Sequence, residues 1–197
     1  GDAEVAIRHA SELRSLSEVT WGALRADVAR IAGALRALGV GEGDRVVAYL
    51  PNVPEAIAAF LACASLGAVW SSCSPDFGAR SVVDRFAQIE PKVLIAVDGY
   101  AYGGRDFDRM GVVQTLEREM PTLEHVLQVD SADFRGDLDA ASDRFEIERT
   151  APEDPAFLHF TSGTTGMPKG AVHVHGAVVA HYATGRYALD LHPEDVF

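Results

Sequence analysis

A run of hydroxyl-bearing residues and glycines, TSGTTG, occupies positions 161–166, and a lysine follows at position 169. Glycine permits positive φ and a close approach to a ligand, so backbone N–H groups in such a run can converge on one anion. Hydroxyl groups donate further hydrogen bonds, and an ammonium offsets negative charge. A ligand with several negatively charged oxygens, such as a polyphosphate, suits these donors. The candidate residues are Thr161, Ser162, Gly163, Thr164, Thr165, Gly166 and Lys169.

The spacing distinguishes this loop from that of P-loop NTPases, which requires Gly-Lys-Ser/Thr at the start of a helix. Met167 and Pro168 stand between Gly166 and Lys169, and Gly170 leads into a strand-like run. A polar surface hairpin that joins two strands without binding a ligand is the alternative interpretation of this composition. A dinucleotide-binding oxidoreductase is excluded, because PNVPEA, and not G-x-G-x-x-G, follows the strand RVVAYL.

Two other groups of residues could do chemistry. His173 and His175 alternate with valines and would share one face of a strand, which favours residues that line or support a cleft over a metal pair, since no third ligand is near in sequence. The segment SSCSPDFG at 71–78 contains Cys73, but a turn at the carboxyl end of a strand is favoured over a nucleophile, because no His/Asp partner is evident.

Helical and strand periods alternate along the chain, and these elements must position the candidates. Helices are predicted over 21–38, with Thr20 as the N-cap and Gly39 at the C-terminal stop, over 54–64, 81–89 and 112–120, and again after 175. The predicted strands are RVVAYL (45–50), AVW (68–70), KVLIAV (92–97), HVLQV (125–129), AFLHF (156–160) and GAVHVH (170–175). Because the strands are almost wholly apolar, we expect an α/β fold with a mostly parallel sheet and flanking helices.

The composition of the chain bears on its partners and its location. The chain has 197 residues, 48% of them hydrophobic, and a formal net charge of −12, which disfavours a nucleic-acid partner. Cys63 and Cys73 are expected to be free thiols of a cytoplasmic protein, and no apolar run is long enough to span a bilayer. The polar, acidic residues 130–155 predict a surface connection. The chain begins without methionine, and we expect it to be a fragment of a longer protein.

The loop and its flanks, FTSGTTGMPKG, closely resemble the signature of adenylate-forming enzymes, which include the AMP-forming acyl-CoA synthetases. The resemblance implies that residues 1–197 are part of the large N-terminal, AMP-binding domain. It implies that the seven loop residues hold the β- and γ-phosphates of ATP with Mg²⁺ while a carboxylate attacks the α-phosphate. It also implies that further family motifs and the C-terminal domain lie downstream of Phe197, so no catalytic residue is expected within this segment and the isolated segment should not turn over.

Finer resemblances concern the acid and coenzyme A. Residues 1–125, with WSSCSPDFG, resemble acetoacetyl-CoA synthetases, whereas 151–197 resemble acetyl-CoA synthetases, which leaves a natural protein and a junction near 125–150 as alternatives. GYAYGGRDF resembles the place where acetyl-CoA synthetases bind the nucleotide end of CoA, which implies a CoA contact for Arg105, although Tyr102 stands where a second arginine is expected. Acetoacetate is the first expectation for the acid and acetate the second; a non-catalytic nucleotide-binding module and another acid are the alternatives.

Overall fold

The computed structural model describes residues 1–129, 147–161, 166–192 and 195. Its centre is a six-stranded sheet whose strands are β3 (Arg45–Tyr49), β4 (Val69–Cys73), β5 (Val93–Ala96), β8 (His125–Gln128), β9 (Pro155–Thr161) and β10 (Lys169–Val174). Their order is β10-β9-β4-β3-β5-β8. Every neighbouring pair is parallel except β9 and β10, which are antiparallel. The predicted α/β fold with a mostly parallel sheet is confirmed.

Helices cover both faces of this sheet. The helices are α1 (Trp21–Ala37), α2 (Pro54–Ser65), α3 (Ala79–Phe86), which a 3₁₀ turn over Ala87–Ile89 extends, α4 (Met110–Glu119) and α5 (His175–Tyr187). Alternate residues of β3 point to opposite faces, so Val46 and Ala48 pack with α1 and α2, while Val47 and Tyr49 pack with α3 and α4. Continuous apolar strands are therefore buried from both sides, as the sequence pattern predicts.

The helix boundaries follow from local chemistry. The Thr20 hydroxyl accepts a hydrogen bond from the Ala23 N–H, which confirms the predicted N-cap of α1. Gly39 has φ +76° just beyond the C-cap, Leu38, a conformation that favours glycine. Pro54 opens α2, where its missing N–H removes no helical hydrogen bond.

Two hairpins were not predicted from the sequence. The strands β1 (Val5–His9) and β2 (Ser17–Thr20) form one antiparallel pair, and β6 (Gly99–Tyr102) and β7 (Arg105–Asp108) form the other. Each strand has only four or five residues, and none of these residues is fully buried. Their weak apolar alternation gives little signal beside that of the central strands.

Some predicted boundaries were wrong. The strand predicted at 68–70 continues to Cys73, because SSC extends β4 in register with β3. The strand predicted over 170–175 ends at Val174, and His175 is the first residue of α5. In the predicted connection at 130–155, residues 130–146 lie outside the described residues, and Pro155 already begins β9.

Candidate functional site

The predicted phosphate-binding loop joins β9 to β10. Thr161 is the last residue of β9 and is paired with Lys169, the first residue of β10. Since β9 runs parallel to β4, the loop emerges at the edge of the sheet where the parallel strands have their carboxyl ends. Ligands of open α/β sheets bind at this edge. The residues Ser162, Gly163, Thr164 and Thr165 lie outside the described residues.

The described ends of the loop are fixed from two sides. The Thr161 hydroxyl donates to the Lys169 carbonyl at 3.3 Å, across the base of the loop. The Gln88 amide, in the turn that follows α3, donates to the Pro168 carbonyl at 3.0 Å. These contacts hold the loop base against the sheet and against the 3₁₀ turn.

The structure describes the lysine and one glycine of the predicted loop. Lys169 is exposed, and within the described part of the chain its ammonium has no hydrogen-bond or ion-pair partner. Gly166 has φ +149°, and a Cβ there would meet no atom within 4 Å, so glycine serves the backbone conformation and not close packing. An unpaired ammonium at the base of such a loop is available to an anionic ligand.

A cavity of about 520 Å³ lies farther along the same edge. Residues that follow β3, β4, β5 and β8 line it, including Asn52, Asp76, Val97 and Val129. The helix after β3 covers one face of the sheet and the helix after β5 covers the other, so the cavity lies where the strand order reverses. This reversal point is the usual ligand crevice of a doubly wound sheet. Two strand spacings, about 10 Å, separate β9 from β3.

In the segment SSCSPDFG, the first three residues belong to β4 and the predicted turn begins at Ser74. Ser74, Pro75 and Asp76 of this turn line the cavity. The Tyr49 hydroxyl lies 2.7 Å from the Pro75 carbonyl and 2.8 Å from the Phe77 carbonyl, and donates its hydrogen to this pair. Desolvation raises the pKa of Tyr49 to about 12, so the donor keeps its proton at neutral pH.

Cys73 does not have the properties of a nucleophile. Its side chain is buried, and this burial raises the pKa of the thiol to about 11. Thiolate is the reactive form, so a thiol with this pKa is almost wholly protonated at neutral pH. Burial also raises the pKa of Cys63, and both thiols are free.

Arg109 was missed by the sequence analysis, yet it joins the β6–β7 hairpin to the turn after β4. Its Nε donates to the Pro75 carbonyl at 2.6 Å, and an Nη donates to the Tyr100 hydroxyl at 3.1 Å. Its guanidinium also lies 5.1 Å from the centre of the Tyr100 ring, which stacks on Phe107. No motif marks this arginine, because its partners come from other elements.

Arg105 lies on the same hairpin, as the first residue of β7. Residues Gly99 to Tyr102 of the preceding strand form one wall of the cavity. Arg105 itself is exposed and, in the described ranges, has no hydrogen-bond or ion-pair partner. Arg105 is therefore an exposed residue of the hairpin whose other strand forms one wall of the cavity, and in the register of the hairpin it is paired with Tyr102.

The histidines do not lie at the loop. His173 stacks on Phe157, with ring centres 4.6 Å apart, and its position in β10 is four residues from Lys169, so about 13 Å from the loop base. The expectation that His173 and His175 share one strand face beside the cleft was wrong, because α5 begins at His175. Among the described residues, no three His, Cys, Asp or Glu side chains are grouped to hold a metal ion. Within the same residues, no helix combines the length and apolarity needed to cross a membrane.

Two relatives found by comparison with known proteins carry the same name, acetoacetyl-CoA synthetase. The acetoacetyl-coenzyme A synthetase of Rhizobium meliloti (strain 1021) is 43% identical over 191 residues, which cover 88% of this chain and 29% of the relative. The acetoacetyl-CoA synthetase of Macaca fascicularis is 38% identical over 184 residues, which cover 84% of this chain and 27% of the relative. The chain thus spans less than a third of the length of these relatives.

Solved structures agree with the fold. Acetoacetyl-CoA synthetase from Streptomyces lividans matches with a TM-score of 0.90 and 44% identity, over 98% of this chain and 31% of that one. An acyl-CoA synthetase from Brucella canis matches with a TM-score of 0.83 and 27% identity, over 100% of this chain and 35% of that one. One family model, described as AMP-binding enzyme, matches residues 3–197 and so continues across positions 125–150. The chain belongs to the family of AMP-binding enzymes.

Proposed function

We propose that the protein to which this chain belongs is an acid:CoA ligase that activates acetoacetate with ATP. In the first half-reaction a carboxylate oxygen attacks the α-phosphorus, the bond to the bridging oxygen breaks, and acyl-adenylate and pyrophosphate form. In the second, the sulfur of CoA attacks the acyl carbon and the C–O bond breaks, releasing AMP. The observation that carries the proposal is the loop of hydroxyls and glycines with Lys169, which has no partner among the described residues, in a chain that belongs to the family of AMP-binding enzymes.

The loop contributes by holding the leaving group. Thr161, Ser162, Thr164 and Thr165 supply hydroxyl donors, the backbone at Gly163 and Gly166 supplies amides, and Lys169 supplies a positive charge. Fixing the pyrophosphate oxygens orients the α-phosphorus for in-line attack and stabilises the charge that develops on the leaving oxygen. A single local cation matters in a chain of net charge −12, because the acidic surroundings otherwise oppose a polyanion.

Magnesium would enter with ATP. The described residues offer no cluster of carboxylates to hold it, so we expect phosphate oxygens to be its main ligands on this part of the protein. The metal then neutralises phosphate charge in parallel with Lys169.

We further propose that Arg105 contacts a phosphate of CoA. The support is its exposure, its lack of a partner in the described ranges, and its position on the hairpin that walls the cavity. A guanidinium presents paired N–H donors that match phosphate oxygens.

Acetoacetate is proposed as the acid because the relatives named above are acetoacetyl-CoA synthetases. Acetate is the second candidate, on the resemblance of residues 151–197 to acetyl-CoA synthetases. The choice is tested by comparing kcat/KM for the two acids in the full-length protein.

The function is tested by ATP–pyrophosphate exchange in the full-length protein. We expect exchange that depends on acetoacetate and that falls about ten- to a hundredfold in Lys169→Ala, since a hydrogen bond to a charged group contributes about 1.5–3 kcal/mol. Arg118→Ala removes an equal charge from an exposed site on α4 and should leave exchange unchanged. Exchange without dependence on any acid, or full activity of Lys169→Ala, would contradict the proposal.

A further inference from the structure

The loop between β1 and β2 is tied to the β6–β7 turn by one carboxylate. The Gly103 N–H donates to Glu12 Oε1 at 2.7 Å, and the Gly104 N–H donates to Glu12 Oε2 at 2.9 Å. Residues 10–16, hereafter the strap, contain Glu12, and 91 residues separate Glu12 from Gly103. A carboxylate in this structure is therefore already bound by two consecutive backbone amides.

The turn at Gly103 and Gly104 has the geometry of an oxyanion site. Their φ angles are +63° and +71°, a region that L side chains rarely adopt. Successive N–H groups in such a conformation point to the same side and form a concave anion-binding site. A Cβ at either position would meet no atom within 4 Å, so the positive φ angles, and not close packing, favour glycine at this turn.

A cationic residue follows these two glycines in the sequence. Arg105 follows Gly104 directly, is exposed, and has no partner among the residues described. Glu12 uses the two amides but forms no ion pair with this guanidinium. Two amides and one guanidinium match the several oxygens and the higher charge of a phosphate better than they match one carboxylate.

The strap also contributes to the cavity. Ser11, Leu13 and Arg14 line it, and both Leu13 and Leu16 are largely exposed. A second tether joins Arg14 to Glu55 of α2, with distances of 2.7 and 3.0 Å to the two carboxylate oxygens. Loss of the Glu12 tether would free one side of the strap while this ion pair holds the other.

We propose that Glu12 is an internal competitor for an oxyanion site formed by the amides of Gly103 and Gly104 and the guanidinium of Arg105. A phosphate group of a ligand displaces the Glu12 carboxylate, and the strap moves at the cavity wall. The inference rests on the phosphate contact proposed above for Arg105 and adds Glu12 as a group that competes with the phosphate for the same site. If Glu12 competes in this way, the affinity of the site for phosphate depends on a residue outside the signature loop at 161–169.

The test measures hydrogen exchange of the strap and ligand affinity in the full-length protein. Inorganic pyrophosphate and CoA are used in separate arms, which distinguish a free polyphosphate from a phosphate carried by the coenzyme. In the wild type we expect at least one of these probes to increase amide exchange in residues 10–16, whereas a ligand that merely covers the strap would decrease it. In Glu12→Gln we expect fast strap exchange without any probe and about three- to tenfold tighter binding of that probe.

Glu18→Gln is the matched control, because Glu18 lies in the same hairpin, carries the same charge and forms its ion pair with Arg8 at the surface. It should change neither the affinity nor the exchange of the strap. Equal or weaker binding by Glu12→Gln than by Glu18→Gln, or a strap that neither probe mobilises in the wild type, would overturn the proposal. ATP–pyrophosphate exchange is a separate readout, so the ligase proposal can fail while this one stands.

Discussion

At the scale of single residues, two buried or half-buried side chains determine the shape of the cavity wall. Tyr49 and Arg109 both donate hydrogen bonds to the Pro75 carbonyl, Tyr49 from β3 and Arg109 from the N-cap position of α4. Neither residue belongs to a recognisable motif. They stabilise the main-chain conformation of the turn that places Ser74 and Asp76 at the cavity.

Tyr49→Phe should destabilise the protein by about 1–3 kcal/mol, because two carbonyls that share one hydroxyl donor in a buried site would lose it. The measurement is urea-induced unfolding of wild type and variant. Tyr102→Phe is the control, since Tyr102 is 73% exposed and should change the free energy of unfolding by less than about 0.5 kcal/mol. Equal stability of Tyr49→Phe and Tyr102→Phe would show that the hydroxyl does not hold the turn.

At the scale of elements, the β6–β7 hairpin connects several features of the site. It carries Arg105, forms a wall of the cavity, and receives Glu12 at its turn. Its two strands approach closely at Gly99, where a Cβ would lie 2.7 Å from the Phe107 carbonyl oxygen. Since that oxygen is part of the backbone, it cannot move aside as the end of a side chain can.

Gly99→Ala should therefore destabilise the fold by about 1–3 kcal/mol, a typical cost of overpacking. Gly111→Ala is the opposite case: Gly111 lies in α4, and a Cβ there meets nothing within 4 Å. Replacement of a helical glycine by alanine should stabilise by about 0.5–1 kcal/mol. Thermal unfolding of the two variants and the wild type measures both changes in stability. A Gly99→Ala protein as stable as the wild type would show that the two strands of the hairpin can move apart to accept the Cβ.

At the scale of the whole molecule, the candidate phosphate loop and the cavity share one edge of the sheet but occupy different strands. The loop follows β9, whereas residues that follow β3, β4, β5 and β8 line the cavity. In the proposed ligase, this separation assigns the loop to the ATP half-reaction and the hairpin to the CoA half-reaction. Substitutions in the loop and in the hairpin can then alter the two half-reactions separately.

Arg105→Ala should raise the KM for CoA about tenfold in the complete reaction and leave ATP–pyrophosphate exchange unchanged, because exchange requires no CoA. The tenfold effect corresponds to about 1.4 kcal/mol, close to the lower value for a charge-assisted hydrogen bond. Arg118→Ala again serves as the control for charge. A loss of exchange in Arg105→Ala equal to the loss of CoA affinity would indicate a general structural role for this arginine.

The sequence by itself determined the α/β class, the central strands and α1 with its Thr20 cap, since each depends on residues within a few positions of one another. It also determined the chemistry available to the loop at 161–169, although the geometry of residues 162–165 stays a prediction. These features are local, so the pattern of residues along a short stretch of sequence is enough to predict them.

Only the tertiary structure determined the position of the cavity, the two short hairpins, the hydrogen bonds of Arg109 to Pro75 and Tyr100, and the binding of Glu12 at Gly103. It also moved His175 from the predicted strand to a helix and placed His173 far from the loop base. The physical reason is separation along the chain: the partners of Tyr49 lie 26 and 28 residues away, and Gly103 lies 91 residues from Glu12. Contacts over such separations depend on how the helices and strands pack, which no short stretch of sequence encodes.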